Sequence, residues 1–158
     1  MDSQVKIDEI DVKILRALLK DARRSFTDIA RDCGVSTNTI VTRFHKLKQS
    51  GVIAGTSLMV NLEDVGYKFA LSIDIKVHAS EESQILEILK KLPNFVECHQ
   101  SVGNYDIHAA ALIKSFEQID RIRDLIKKQK GVKKVRITAS IDKVVFFPEN
   151  LLVQPTET

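Results

Sequence analysis

Cysteine is scarce: two in 158 residues, Cys33 and Cys98. They stand far apart and make neither a CxxC metal pair nor a disulfide framework. Six Gly and three Pro leave little room for long linkers. No apolar run approaches the ~18 residues a membrane-spanning helix needs. The opening residues, Met1–Lys13, lack an apolar core behind a basic start, so no secretory signal is expected there. No Gly-rich phosphate loop and no paired nucleophile and base stand out. What remains has ordinary globular composition. The chain is 44% hydrophobic and 28% charged, near the averages of roughly 45–50% and about 25%. Such a length suits one domain or two small ones, and the expectation is a folded cytoplasmic protein.

The net charge of +3 conceals an uneven distribution. Residues 1–61 carry 10 Lys and Arg against 7 Asp and Glu, and residues 62–158 carry 14 of each. Between Asp32 and Glu63 there is no acid, and Arg43, His45, Lys46 and Lys48 fall in that gap. A locally positive surface on a nearly neutral chain points to a polyanion partner, or to a solvated helix face. A second acid-free stretch, Leu125–Ile141, holds Lys127, Lys128, Lys130, Lys133, Lys134 and Arg136. The first three are expected near a helix C-terminus, where the dipole favours cations.

Periodicity divides the chain. Asp8 is a helix cap with Asp11 three residues on, followed by Ile10, Ile14 and Leu18 at i, i+4 and i+8. Ser25 with Asp28 opens a short second helix, which Gly34 stops. Ser36 caps a third, with Ile40, Phe44 and Leu47 on one face and Gly51 at its end. Helix, helix, Gly-containing turn, helix is the helix-turn-helix order. Residues 51–61 then read as extended. Ala70–His78 alternates as a half-exposed strand. Helices capped by Ser80 and Ser115, strands over Phe95–Val102 and Ile107–Ile113, and a long last strand over Val132–Phe147 complete a βαββαβ order. The tail from Leu151 reads as loose. Ala109–Leu112 is apolar on both faces, so the second sheet face is expected to be buried against another chain.

Three stretches, in this order, carry a family resemblance. They are Ile7-Asp8-Glu9-Ile10-Asp11-Val12-Lys13-Ile14-Leu15; Val35-Ser36 through Arg43-Phe44, Leu47 and Gly51-Val52-Ile53-x-Gly55; and Val96-Glu97-Cys98-His99-x-x-Val102-Gly103-Asn104-Tyr105-Asp106. Over about residues 5–148 the chain resembles the Lrp/AsnC, or feast/famine, transcription regulators. The resemblance implies an α+β protein with an N-terminal helix-turn-helix domain (residues 1–51) and a connecting strand or linker (52–66). After these come a ferredoxin-like, RAM-type effector and oligomerisation domain (67–150) and a tail (151–158). It implies double-stranded DNA and a small-molecule effector, an amino acid, as partners. It also implies a homodimer assembling to a higher oligomer such as an octamer, no cofactor and no catalysis, and a cytoplasmic, nucleoid-associated location.

In a helix-turn-helix the third helix enters the major groove with its N-terminal part at the base edges. With Ile40, Phe44 and Leu47 inward, Asn38, Thr42, His45 and Gln49 point outward, flanked by Thr39 and Lys46. The DNA-binding set is Ser36, Thr37, Asn38, Thr39, Thr42, Arg43 and Lys46. Asn pairs bidentately with adenine and Thr methyls touch thymine methyls, and no outward Arg serves guanine, so an A·T-weighted site is expected. Lys46 is a phosphate contact. Arg43, at the edge of the buried face, is a phosphate clamp or an ion pair within the domain.

The effector set is Gly103, Asn104, Tyr105, Asp106, Thr138 and Ser140. Turn amides suit a carboxylate and Asp106 an ammonium group, together a zwitterion site. Asp106 serves equally well as a cap of the hairpin turn. Asn104 stands where relatives commonly have Asp, which favours a neutral amino acid. Cys98 and His99 point to opposite strand faces, so no metal site is expected. Two other readings stand beside the regulator: an enzyme of the sirohaem decarboxylase type, which shares the architecture, and a DNA-packing protein of low specificity.

Overall fold

The computed structural model describes residues 5–142 and 148–156. Contacts divide the chain into two compact units: Met1–Met59 with Phe146–Thr158, and Val60–Val145.

The first unit is built on three helices: α1 (Glu9–Lys20), α2 (Phe26–Cys33) and α3 (Thr37–Gln49). Each begins where a short polar side chain satisfies the first free amides. Asp8 accepts from Ile10 N at 2.9 Å and Asp11 N at 3.0 Å, and Asp11 accepts in return from Asp8 N, closing a capping box with Asp in the usual Glu place. Ser25 Oγ accepts from Asp28 N and Ser36 Oγ from Thr39 N, both at 3.1 Å. Gly34 sits at φ 68°, the left-handed region that releases α2 into the turn before α3. The core of this unit is Ile14, Ile29, Ala30, Ile40 and Leu47. After α3, Ile53 N returns to Leu47 O at 3.0 Å. Beyond it the connector departs from expectation. Residues 54–61 form no strand, and Leu58, Met59 and Val60 are exposed.

The tail is also not loose. Thr156 N donates to Ile7 O at 3.0 Å, Ile7 N donates to Thr156 Oγ1 at 2.9 Å, and Arg16 Nη2 donates to Val153 O at 2.9 Å. The amide of Ile7, just before α1, thereby gains a partner.

The second unit is a four-stranded antiparallel sheet of order β2-β3-β1-β4, with β1 Phe69–Val77, β2 Phe95–Gln100, β3 Ile107–Ile113 and β4 Val132–Ser140. Helices α4 (Glu82–Leu89) and α5 (Glu117–Lys127) complete βαββαβ. Both pack on one face. Leu71, Ile73, Ile75 and Val77 of β1 and Ile107, Ala109, Ala111 and Ile113 of β3 meet Ile85, Leu89 and Ile126 there. The two starts expected from serine differ. A 3-10 turn, Ala79–Glu81, precedes α4 without a side-chain cap. At α5 the longer Gln118 amide does the work of Ser115, accepting from Lys114 N at 2.6 Å and Ser115 N at 3.3 Å. The last strand ends at Ser140, and its expected continuation over 143–147 lies outside the described residues.

The open face is more polar than the alternation of Ala109–Leu112 suggests. Pleating gives Ala109 and Ala111 to the core and leaves Ala110 and Leu112 on the open side with Ala70 and Ser72. Towards the other end of the sheet the same face carries charge.

Candidate nucleic-acid interface and effector turn

From Val35 to Gly51 there is no acid, and α3 presents Thr37, Asn38, Thr42, His45 and Lys46 to solvent. Ser36 and Thr39 are engaged with each other: their hydroxyls lie 2.8 Å apart and Ser36 holds the first turn. Thr42 Oγ1 donates to Asn38 O at 2.9 Å, and Thr42 is exposed. The Asn38 amide group and the Lys46 ammonium have no partner among the described residues. Arg43 turns inward. Its Nη1 lies 2.5 Å from Asp8 Oδ2 and 3.0 Å from Asp11 Oδ1, and the Asp11 side chain is 3% exposed. Burial works to raise the Asp8 carboxyl, but its hydrogen bonds with Arg43, Asp11 and Ile10 prevail and hold it below the usual range. The Asp8 carboxylate in turn raises Arg43. Of the alternatives open for Arg43, its position is the ion pair within the unit, bracing α3 against α1. The sequence pattern marked Asp8 and Asp11 as caps and carried no sign of a partner on another helix.

The same unit carries an apolar cleft of about 490 Å³, lined by Leu15, Leu18, Phe26, Phe44, Val52 and Ile53 among others. Phe44, expected inward, forms part of its wall with Phe26, the two rings 4.9 Å apart.

In the second unit the turn between β2 and β3 runs through Val102, Gly103 and Asn104, all exposed. Gly103 has φ 145° and open space where a Cβ would stand, so backbone conformation alone selects glycine. The N–H groups of Gly103 and Asn104 donate to no described residue. Asp106 is committed on both oxygens: Oδ1 accepts from Lys76 Nζ at 2.6 Å and Oδ2 from Val77 N at 2.8 Å. Those two bonds, Lys76 first, hold its carboxyl below the usual range. Its own N–H donates to Ile75 O at 3.0 Å. Asp106 therefore fastens the hairpin to the end of β1. Tyr105 lies beneath two cations, Arg136 at 4.9 Å and Lys134 at 5.8 Å from the ring centre.

Thr138 and Ser140 are on the open face but not beside the turn. Thr138 pairs with Ser72 and Ser140 with Ala70. At roughly 3.3 Å per residue these lie about 10 and 17 Å along β1 from Ile75, whose carbonyl meets Asp106. Antiparallel register, invisible in the sequence, sets that separation.

Register also assembles a row that sequence reasoning missed. His99, His108, Asp74 and Arg136 are successive cross-strand neighbours on β2, β3, β1 and β4. Asp74 Oδ1 meets His108 Nδ1 at 2.9 Å, and Oδ2 accepts from Arg136 Nε at 3.0 Å and Nη2 at 2.7 Å. Burial opposes its ionisation, but these two partners outweigh it and lower the Asp74 carboxyl. Strand alternation, which puts Asp74 opposite the face of Ile73 and Arg136 opposite that of Ile137, was the available signal. Cys98 faces the core, where burial raises its thiol. Among the described residues no three His, Cys, Asp or Glu side chains converge as for a metal.

A model of the AsnC-type helix-turn-helix domain matches residues 7–48, and one of the Lrp/AsnC ligand binding domain matches residues 70–149. The chain belongs to the Lrp/AsnC family. Among its relatives, the HTH-type transcriptional regulator FL11 of Pyrococcus horikoshii is 33% identical over 129 residues, covering 82% of this chain and 85% of that protein. The regulatory protein AsnC of Haemophilus influenzae is 34% identical over 119 residues, or 73% and 78% of the two chains. The structure of Escherichia coli AsnC superposes with a TM-score of 0.81 at 26% identity, over 90% of this chain and 97% of that one. A transcriptional regulator of Neisseria meningitidis in complex with L-Met shares the fold, with a TM-score of 0.79 at 16% identity over 89% and 94% of the two chains. This Lrp/AsnC protein is thus a DNA-binding transcription regulator with a domain for a small-molecule effector. No described helix is long and apolar enough to cross a membrane.

Proposed function

We propose that this chain represses or activates transcription by sequence-specific binding of duplex DNA through α3. In this reading Asn38 and Thr42 meet base edges, Lys46 and the Thr37 region meet phosphate, and the Ser36–Thr39 pair and Arg43 hold the helix in shape. The observation that carries it is the acid-free outer surface of α3, on which Asn38 and Lys46 have no partner among the described residues while Arg43 is retained by Asp8 and Asp11. Donor-acceptor amides and an unneutralised ammonium are what base edges and phosphates require.

The functional division is DNA binding over residues 1–51, a connector over 52–66 and an effector domain from 67, with the tail returned to α1. An amino acid at the Gly103–Asp106 turn modulates assembly or DNA binding, its carboxylate on the free turn amides. The L-Met complex of the Neisseria protein, which shares the fold, supports a ligand of that class. The protein acts in the cytoplasm, on the nucleoid, by binding rather than catalysis. Its working form is a homodimer that assembles further, since the open sheet face leaves Ala70, Ala110 and Leu112 only half-buried and a two-fold operator needs two recognition helices.

Fluorescence anisotropy with a selected operator and a random duplex at two salt concentrations tests this reading. A specificity ratio well above one supports it. A ratio near one means a DNA-packing protein instead.

A further inference from the structure

The turn's one acid is already partnered within the chain. Both oxygens of Asp106 are taken by Lys76 and Val77 N, and both oxygens of nearby Asp74 by His108 and Arg136. The surroundings of Tyr105 are instead rich in cations. Arg136 and Lys134 stand over its ring, Lys76 is its neighbour through Asp106, and Lys133 at the bulge of β4 is close enough to lower Asp106. Four cations face two carboxylates, an excess of two positive charges. Neither Lys133 nor Lys134 has an ion-pair partner among the described residues, and Lys134 is the one whose ammonium lies over the Tyr105 ring, beside the turn. The cross-strand neighbour of Lys134 is Lys76, a like charge that raises the local potential further.

We propose that the effector turn takes a short-chain dicarboxylate, with one carboxylate on the amides of Gly103 and Asn104 and the other on Lys134. The step rests on the reading of this turn as the effector site, and it narrows the ligand class. A neutral amino acid has one carboxylate and no net charge, so with that carboxylate on the turn amides it leaves Lys134 without an anion. A dicarboxylate brings two negative charges to a corner with two positive ones in excess. Acidic amino acids and amine-free dicarboxylates share this chemistry.

Calorimetry on the full chain distinguishes them. The probes are L-aspartate, L-glutamate, succinate and 2-oxoglutarate, with L-leucine and L-methionine as neutral ligands and inorganic phosphate as a simple anion. At least one dicarboxylate is expected to bind about tenfold or more tighter than the neutral amino acids and phosphate, a difference well within one charged contact. Lys134→Gln is expected to abolish that preference, and Lys134→Arg to keep it. Preference for the acidic amino acids over succinate and 2-oxoglutarate would identify the source as an amino acid. A neutral amino acid that binds tighter, with no change in Lys134→Gln, overturns the dicarboxylate while the effector site stands. Phosphate binding equal to the dicarboxylates overturns it as well, leaving a general anion patch. No binding of any probe at millimolar concentration removes both the dicarboxylate and the effector reading.

Discussion

Arg43 Nη1 and Asp11 Oδ1 are 3.0 Å apart across 32 positions of sequence, and the carboxylate end of that pair is buried. The contact ties the middle of the third helix to the first turn of the first, and it accounts for an arginine on the third helix that does not face outward. Removing the guanidinium leaves Asp11 buried without its counter-charge, whereas Arg43 itself is partly open to solvent. Arg43→Ala is therefore expected to destabilise the DNA-binding unit by about 2 kcal/mol, below the roughly 3–5 kcal/mol for fully buried pairs. Thermal unfolding reads this directly. An unchanged melting temperature with weakened binding to all DNA sequences would make Arg43 a phosphate clamp instead.

The acid limb of stability should include Asp74 and Asp106 alongside Asp8. All three carboxyls are held below their ordinary value in the folded chain. A lowered folded value means that ionisation favours the fold. The contribution is present above the unfolded value, near about 3.9 for Asp, and is lost as pH falls through the lower folded value. Stability is expected to be level near neutrality and to decline below about pH 4. Asp106→Asn should lower stability at neutral pH and flatten that decline. Circular dichroism melts over a pH series give the comparison, and parallel curves for variant and wild type would remove Asp106 from the acid limb.

Legibility followed the range of the interaction. Caps and turns are local, so Asp8, Ser25, Gly34 and Ser36 were readable in place, as was the core face Leu71–Val77. The βαββαβ order followed from period changes alone. Contacts between distant strands were not readable. Nothing in the spacing of Asp74, His108 and Arg136 says that they share a row, and nothing near Thr138 or Ser140 says that register carries them away from the turn. The tail failed for the same reason: its apolar, polar-tipped residues have no period, and its order comes from a partner at Ile7. On α3 the outward face was legible because helical geometry fixes it, but the inward turn of Arg43 depended on α1.

The tail should contribute measurably to α1. Thr156 supplies both a donor and an acceptor to Ile7, and Arg16 closes on Val153 O. Hydrogen bonds of this kind contribute about 1 kcal/mol each at most when partly exposed. Deleting residues 148–158 is expected to lower the stability of the DNA-binding unit by about 1–2 kcal/mol and to speed amide exchange at Ile7. Exchange at Ile7 as slow in the truncated chain as in the full one would show that the tail contact does not persist in solution.

Asn38 and Lys46, which have no partner among the described residues, should fail differently. Lys46 has no acid partner among the described residues, so its expected contact with DNA is at phosphate with release of a counterion, which is blind to sequence. Lys46→Ala is expected to weaken operator and random duplex alike and to reduce the salt dependence by about one unit of slope. Asn38 is neutral, exposed and one turn before Thr42, whose hydroxyl is already bonded to the Asn38 carbonyl. Its amide is free to pair with one base edge, adenine being the best match. Asn38→Ala is expected to cost about 1–3 kcal/mol on the operator and almost nothing on random DNA, with the loss confined to one base position when each is substituted in turn. Binding across a salt series and a set of singly substituted operators measures both. Equal losses for Asn38→Ala on operator and random duplex would mean that this amide does not read sequence, and base readout would then pass to Thr42 and His45 farther along the helix.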